Sequence, residues 1–192
     1  RWWGARVVLG RWWGVIPSPA ERLAEELAGR PELFDGLIDA TALDPVADTA
    51  TLACEMAAGA DYQARLDHVR RVVGEKRFAL GTQIVSGASD PLAVSAGYAR
   101  VAEAAIGVLA EATITEFSGS HGTVPGSELI ILALGRMGGG ALTHASDLDL
   151  IYLFTGDHLA ESDGPKPLGA VLYYNRLAQR ISAALSVPTA LG

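Results

Sequence analysis

Two aspartates two positions apart, Asp147 and Asp149, head the apolar run Leu150-Ile-Tyr-Leu-Phe154, behind a stretch that holds Gly135, Gly138, Gly139 and Gly140. In an extended segment successive side chains point to opposite faces. The two carboxylates should therefore project side by side, while Leu148, Leu150 and Tyr152 face the other way. Ile151 and Leu153 are expected to continue the run as buried strand. Neighbouring anions raise each other's pKa and repel unless a positive charge lies between them. A hard divalent cation meets that need. Mg2+ typically takes one or two protein carboxylates and completes its octahedron with water and substrate phosphates. An Asp-x-Asp pair alone is commonly a solvent-facing turn, so the reading of Asp147 and Asp149 as metal ligands and catalytic residues rests on what precedes them.

What precedes them is Glu128-Leu-Ile-Ile-Leu-Ala-Leu134, a short run of branched apolar residues that reads as a buried strand, followed at once by the glycines. Glycine admits positive φ and close backbone approach, so Gly135, Gly138 and Gly139 are expected to let main-chain N–H groups cradle a triphosphate, with Gly140 making a tight turn. Ser146, beside the metal pair, is expected to hydrogen-bond a phosphate or a metal-bound water. No Walker lysine and serine follow the glycines, and no Gly-x-Gly-x-x-Gly fingerprint is present, which sets aside the P-loop and Rossmann readings. Asp147, Asp149, the glycines and Ser146 together read as a metal-dependent nucleotide site.

The rest of the 192-residue chain reads as helix up to about residue 120. Expected helices cover Pro19 to Ala28, Pro45 to Met56, and a longer segment from Asp61 to Ser86 whose apolar stripe runs Tyr62, Leu66, Val69, Val73, Leu80 and Ile84. Arg65, Arg70, Arg71 and Lys76 lie on its opposite face. Asp90-Pro91 is a cap and first-turn signal, and Val94, Tyr98, Val101, Ala105, Val108 and Ala112 follow at steps of four and three, one helix face. Ser118 to Gly126 reads as a linker. The expected division is an atypical segment over 1–18, a helical domain over 19–120, and a second domain over 127–192 with two strands and a final helix from about Leu168 to Leu185.

Composition narrows the function classes. A net charge of −7 disfavours a general nucleic-acid binder. No run of eighteen apolar residues suggests a membrane span. The repeated Arg-Trp-Trp-Gly at residues 1–4 and 11–14 reads as an anomalous terminus in preference to an interfacial anchor. The single cysteine, Cys54, excludes an intrachain disulfide and fits a reducing cytoplasm; it is expected to be a small core residue. His144 is expected to face water, and His121 and His158 are expected in loops, with no chemistry assigned to them. Arg176 and Arg180 are expected to form surface salt bridges on the last helix.

The string Gly135-Arg-Met-Gly-Gly-Gly-Ala-Leu142 followed by Ser146-Asp-Leu-Asp-Leu-Ile151 resembles the Gly-Lys-Leu-Gly-Gly-x-Glu-Leu and Ser-Asp-(Leu or Ile)-Asp-Leu-Ile strings of the glutamine synthetase adenylyltransferases, nucleotidyltransferases of the DNA polymerase beta type. Arg136 stands where that family has lysine, and Ala141 where it has glutamate. Pro31 to Asp39, Ser162 to Gly164 and Tyr174 to Thr189 resemble flanking strings, so the likeness covers about residues 20–192. It implies an α+β fold: a helical region followed by the start of a polymerase-beta-like nucleotidyltransferase, a short mixed sheet with flanking helices. The family's third carboxylate, in a Tyr-Glu-Val-Asp-x-Arg-Leu-Arg-Pro-type strand, has no match before Gly192, which implies a C-terminally truncated fragment of the adenylylating unit with little activity alone.

By the same resemblance the reaction is transfer of AMP from ATP to a tyrosine of glutamine synthetase, with Mg2+ as cofactor and two metal ions at the site. Glutamine synthetase and ATP are then the partners, with the PII signalling protein acting through the full-length enzyme, and neither nucleic acid nor membrane is involved. Rival readings are the phosphorolytic, deadenylylating unit of the same enzyme, a manganese-dependent glycosyltransferase using the Asp-x-Asp pair, and a non-catalytic nucleotide-binding or docking module.

Overall fold

The structure is a computed structural model that describes residues 18–34 and 44–186. The Arg-Trp-Trp-Gly repeat and the stretch 35–43, which includes most of the Pro31 to Asp39 string, lie outside the described residues, as does the end of the Tyr174 to Thr189 string from residue 187. The chain is α+β: five principal helices and one antiparallel pair of strands among the described residues.

Helix α1 spans Pro19–Gly29 and starts from a reciprocal capping box, in which Ser18 accepts from the Glu21 N–H and the Glu21 carboxylate accepts from that of Ser18. A 3-10 turn, Pro31–Phe34, follows. Helix α2, Thr49–Met56, begins later than Pro45 because Asp48 is the residue that caps it, accepting from the Thr51 N–H at 2.8 Å. That bond, foremost, holds the Asp48 carboxyl below the usual aspartate pKa. Helix α3, Tyr62–Ser86, runs from an Asp61 cap to Gly87 at φ +67, a left-handed stop that favours glycine. Helix α4, Pro91–His121, is capped by Asp90 with Pro91 in its first turn, as its sequence requires.

Helix α4 is the centre of the molecule. The stripe Val94, Tyr98, Val101, Ala105, Val108 and Ala112 is buried throughout, and Ala99, Ala104, Ile106, Leu109 and Ala110 bury a second side. By length and mean hydropathy (1.4) α4 could cross a membrane, yet 56% of its most apolar window is buried inside the protein, the mark of a core helix. Helices α2 and α3 pack on it from one side and α5, Ala170–Ser186, from another. Two expectations fail here. Ile84 is exposed at the end of the α3 stripe, where Phe78 and the amide of Gln83 are buried instead; Gln83 finds its acceptor in the Asp44 carbonyl at 3.0 Å. Cys54 is exposed, because Leu52 and Met56 take the inward face of α2.

The expected linker from Ser118 is helical to His121, and the chain then turns at Gly122. Gly122 has φ +69 and lies against the backbone of Gly164, where any Cβ would collide. The matched Ser162 to Gly164 string thereby closes on the end of α4: Asp163 Oδ1 accepts from the Thr123 N–H at 2.7 Å, and the Gly164 N–H donates to the His121 carbonyl at 3.1 Å. The carboxylate of Asp163 thus has a structural partner. The core crosses the expected domain boundary, since Met137, Leu142 and Ala184 join the cluster built on α2, α3 and α4.

Strand β1, Leu129–Ala133, pairs with β2, Leu150–Phe154, in the register Leu129 to Phe154, Ile131 to Tyr152 and Ala133 to Leu150. These six side chains form the inner face, which packs on α4 and α5; Phe154 stacks on Tyr174 with centroids 4.5 Å apart. The alternate residues point outward. Ile130, Leu132, Ile151 and Leu153 are exposed, so neither strand is buried on both faces and Ile151 and Leu153 do not continue a buried run. Alternation in a sheet covered on one side requires this outcome.

Phe117, 1% exposed, sits against Tyr173, His121 and the Arg180 guanidinium at the junction of α4, α5 and the Ser162 to Gly164 string. Phe117→Ala should lower unfolding stability by about 3–5 kcal/mol, as for a buried aromatic replaced by a cavity, read from urea denaturation; a loss within error would show that this junction is not part of the cooperative core.

Candidate functional site

The register of the hairpin determines where the acidic pair lies. Both aspartates precede β2, Asp149 by one residue, although the strand was expected from residue 147; pairing continues past the strand, where the Leu134 N–H donates to the Asp149 carbonyl at 2.8 Å. Asp149 therefore stands opposite Leu134 and shares the outward face with Ile151 and Leu153. Its carboxylate lies over the first glycine: a Cβ built on Gly135 would be 2.7 Å from Asp149 Oδ2. Gly135 has φ +54, so it is the residue at which the chain both leaves β1 in a left-handed conformation and makes room for the acid. Asp147 and Asp149 are exposed, and among the described residues neither carboxylate has a hydrogen bond or an ion pair. One unpaired carboxylate at an open turn, with a second exposed two residues before it, suits a divalent cation. No third His, Cys, Asp or Glu groups with them to complete a metal-binding cluster among the described residues.

The glycines form one helical turn, Gly135–Gly138. The Gly138 N–H donates to the Leu134 carbonyl, Gly139 to Gly135, Gly140 to Met137 and Ala141 to Arg136. The amides of Gly138 and Gly139, expected to face a phosphate, are thus engaged inside the turn. What Gly138 provides is closeness to β1, since a Cβ there would sit 2.5 Å from the Ala133 carbonyl oxygen. Gly139 has no such crowding, and Gly140 takes φ +68 in open space, the tight turn expected of it. Met137 is buried and anchors the turn to the main core. Ser146 is likewise engaged locally: its Oγ accepts from the Thr143 N–H at 3.0 Å and lies 2.9 Å from Thr143 Oγ1. It knits the turn before the acidic pair and is not brought to the carboxylate side.

Residues that the motif does not contain hold this loop in place. Ser95 Oγ on α4 donates to the Leu142 carbonyl at 2.8 Å while the Leu142 N–H donates back to the Ser95 carbonyl at 3.2 Å. Arg77 Nη2 on α3 donates to the His144 carbonyl at 2.6 Å. His144 is not turned to water: its Nδ1 is 3.4 Å from Tyr98 Oη, and its Nε2 is 3.6 Å from Glu26 Oε2 on α1. Tyr98 Oη also donates to the Arg77 carbonyl at 3.1 Å, and burial pushes its phenol pKa up to about 12. Sequence reading missed Ser95 and Arg77 because their partners lie 47 and 67 residues away. Arg180 lies over the Phe117 ring at 5.1 Å, a cation–π contact in place of the expected salt bridge.

Comparison with known proteins settles the family. The family model described as glutamate-ammonia ligase adenylyltransferase matches residues 15–192. This chain belongs to that family. It is 36% identical over 183 residues to a bifunctional glutamine synthetase adenylyltransferase/adenylyl-removing enzyme of Mesorhizobium japonicum, covering 93% of this chain and 19% of the relative. A protein of the same name from Brucella suis is 39% identical over 183 residues, with the same coverage. One from Rhizobium meliloti is 37% identical over 182 residues, 92% of this chain and 18% of the relative. The chain thus spans about a fifth of the length of these adenylyltransferase relatives.

Gly135→Ala and Gly139→Ala form a contrasting pair. The first should cost about 1–2 kcal/mol for the left-handed backbone alone and shift the Asp149 amide resonance as the carboxylate is displaced; the second, at φ −83 with nearest atoms at 3.6 Å, should change stability by less than about 0.5 kcal/mol. Equal costs by urea denaturation would contradict the role given to Gly135. Separately, Tyr98 should ionise near pH 12, not 10, so its contribution makes stability fall as pH rises between those values, which an ultraviolet titration against Tyr98→Phe measures.

Proposed function

We propose that this chain is the nucleotide- and metal-binding part of an enzyme that transfers AMP from ATP to a tyrosine of glutamine synthetase. The observation that carries the reading is the Asp149 carboxylate lying over Gly135, with Asp147 exposed two residues before it, in a chain of the adenylyltransferase family. Asp147 and Asp149 would hold Mg2+, which when bound supplies charge stabilisation for the entering oxygen and the departing pyrophosphate. The chain's own residues supply position. The turn at Gly135 keeps the backbone clear of the Asp149 oxygens, Met137 ties that turn to the core, and Ser95 and Arg77 hold the segment leading to Asp147. Ser146 acts one step back by shaping the turn through its bonds to Thr143.

The relatives' names include adenylyl removal, so phosphorolysis of the same linkage is the second reading. The carboxylate pair would serve either direction, since both displace at the same phosphorus. In a full-length relative carrying this segment, Asp149→Asn or Asp147→Asn should lower radiolabelled AMP transfer to glutamine synthetase by about 10³-fold or more, as for loss of a preorganised charge group. Unchanged transfer together with lost phosphate-dependent removal of AMP would assign the segment to the removing unit; both reactions unchanged would reject the site.

A further inference from the structure

A cavity of about 330 Å3 opens between α1, α3, α4 and the loop that leads to the acidic pair, with Ala184, Leu185 and Ser186 of α5 at its border. Its lining includes Ser146 and Leu148 but neither Asp147 nor Asp149. Alternation along the extended segment explains this: the cavity lies behind the loop, on the side opposite the carboxylates. It is therefore distinct from the proposed nucleotide site, although Ser146 and Leu148 in its lining alternate with Asp147 and Asp149 along the same segment.

The walls are mainly aliphatic, made by Val69, Val73, Val101, Ala105, Leu109 and Leu142. Against them stand three guanidiniums, Arg30, Arg70 and Arg77, and one carboxylate, Glu26. Arg77 is committed to the His144 carbonyl, and Arg30 packs on α3 where a Cβ at Gly74 would lie 2.7 Å from its Nη1. Glu26 faces His144 Nε2 at 3.6 Å. Arg70 is divided: Nη2 donates to the Ala184 carbonyl at 3.1 Å, while Nη1 is buried without a hydrogen-bond partner among the described residues. A buried charged donor without an acceptor is costly. The acceptor that best suits a guanidinium fork is a carboxylate.

We propose that this cavity binds a small organic acid, its carboxylate on Arg70 and its hydrocarbon body against the valine and leucine walls. A polyphosphate matches it less well, because the walls are mainly aliphatic, Arg77 is already committed to the His144 carbonyl, and Glu26 opposes a multiply charged solute. Binding there requires nothing of the reaction at Asp147 and Asp149, so it is tested on its own.

Isothermal titration of the 192-residue chain with hexanoate, benzoate, hexan-1-ol and inorganic phosphate separates the contributions of head group and body. At least one of the two acids should bind saturably, about tenfold more tightly than hexan-1-ol, as one charge-assisted hydrogen bond predicts, and phosphate should not compete. Arg70→Met should abolish the preference of acid over alcohol. Ala102→Leu, which narrows the cavity, should weaken acid and alcohol together, and circular dichroism checks that each variant is folded. Amide shifts in the wild-type chain should centre on Leu142, Ser146 and Val101. No saturable binding of either acid up to about 10 mM, shifts centred elsewhere, phosphate bound more tightly than the acids, or an undiminished acid preference in folded Arg70→Met would each overturn the proposal. If Arg70→Met does not fold, the Ala102→Leu titration and the shift map decide it.

Discussion

The register of one antiparallel pair decides which way the Asp149 carboxylate faces. Ile131 opposes Tyr152, Ala133 opposes Leu150, and the pairing reaches one step further to join the Leu134 N–H to the Asp149 carbonyl. A slip of a single residue would exchange the two faces of β2. It would put Ile151 and Leu153 against α5 and turn the Asp149 carboxylate into the core. The inner face resists that slip because Tyr152 and Phe154 are already committed, Tyr152 to the Ser182 hydroxyl at 3.2 Å and Phe154 to the Tyr174 ring. Hydrophobic burial on one face therefore determines the direction of a carboxylate on the other.

The acid pair also depends on the helices, through the backbone. Helix α4 contributes both the centre of the core and the Ser95 bonds that hold Leu142, while α3 sends Arg77 to the next turn of the loop. Tyr98, His144 and Glu26 link α4, the loop and α1 at the same level. The helical half and the hairpin are accordingly mechanically continuous, with Met137, Leu142 and Ala184 in one cluster with Leu52 and Val69. Displacement of α3 or α4 would be felt at Asp147 through the main chain, without a direct side-chain contact to either carboxylate.

Much of this was legible in the residues themselves. The cap at Asp90 and the stripe from Val94 to Ala112 follow from local rules, and the structure agrees with them. So does the hairpin, because alternation and turn glycines are short-range signals. Burial on two faces was not legible: Ile151 and Leu153 look like core residues in a sequence, and only the location of α5 on one side of the sheet shows that they face outward. The Gly138 and Gly139 amides are a related case, since they close a helical turn that a motif does not reveal. Ser95, Arg77 and the surroundings of His144 were out of reach because their contacts join elements far apart in the chain. Cys54 shows the limit of composition, as an apolar residue type in an alanine-rich helix that happens to lie on the outward face.

The central claim is that Asp147 and Asp149 grip a divalent ion beside the Gly135 turn, and paramagnetic broadening by Mn2+ tests it most directly. Amide resonances of the chain would be followed during titration with substoichiometric Mn2+, with and without a non-hydrolysable ATP analogue. Selective loss of the Gly135, Asp147, Leu148 and Asp149 signals, strengthened by the analogue and abolished in Asp149→Asn, is the predicted result. Broadening that centres instead on the exposed acids of the Asp157 to Asp163 loop, or that is unchanged in Asp149→Asn, would contradict the account.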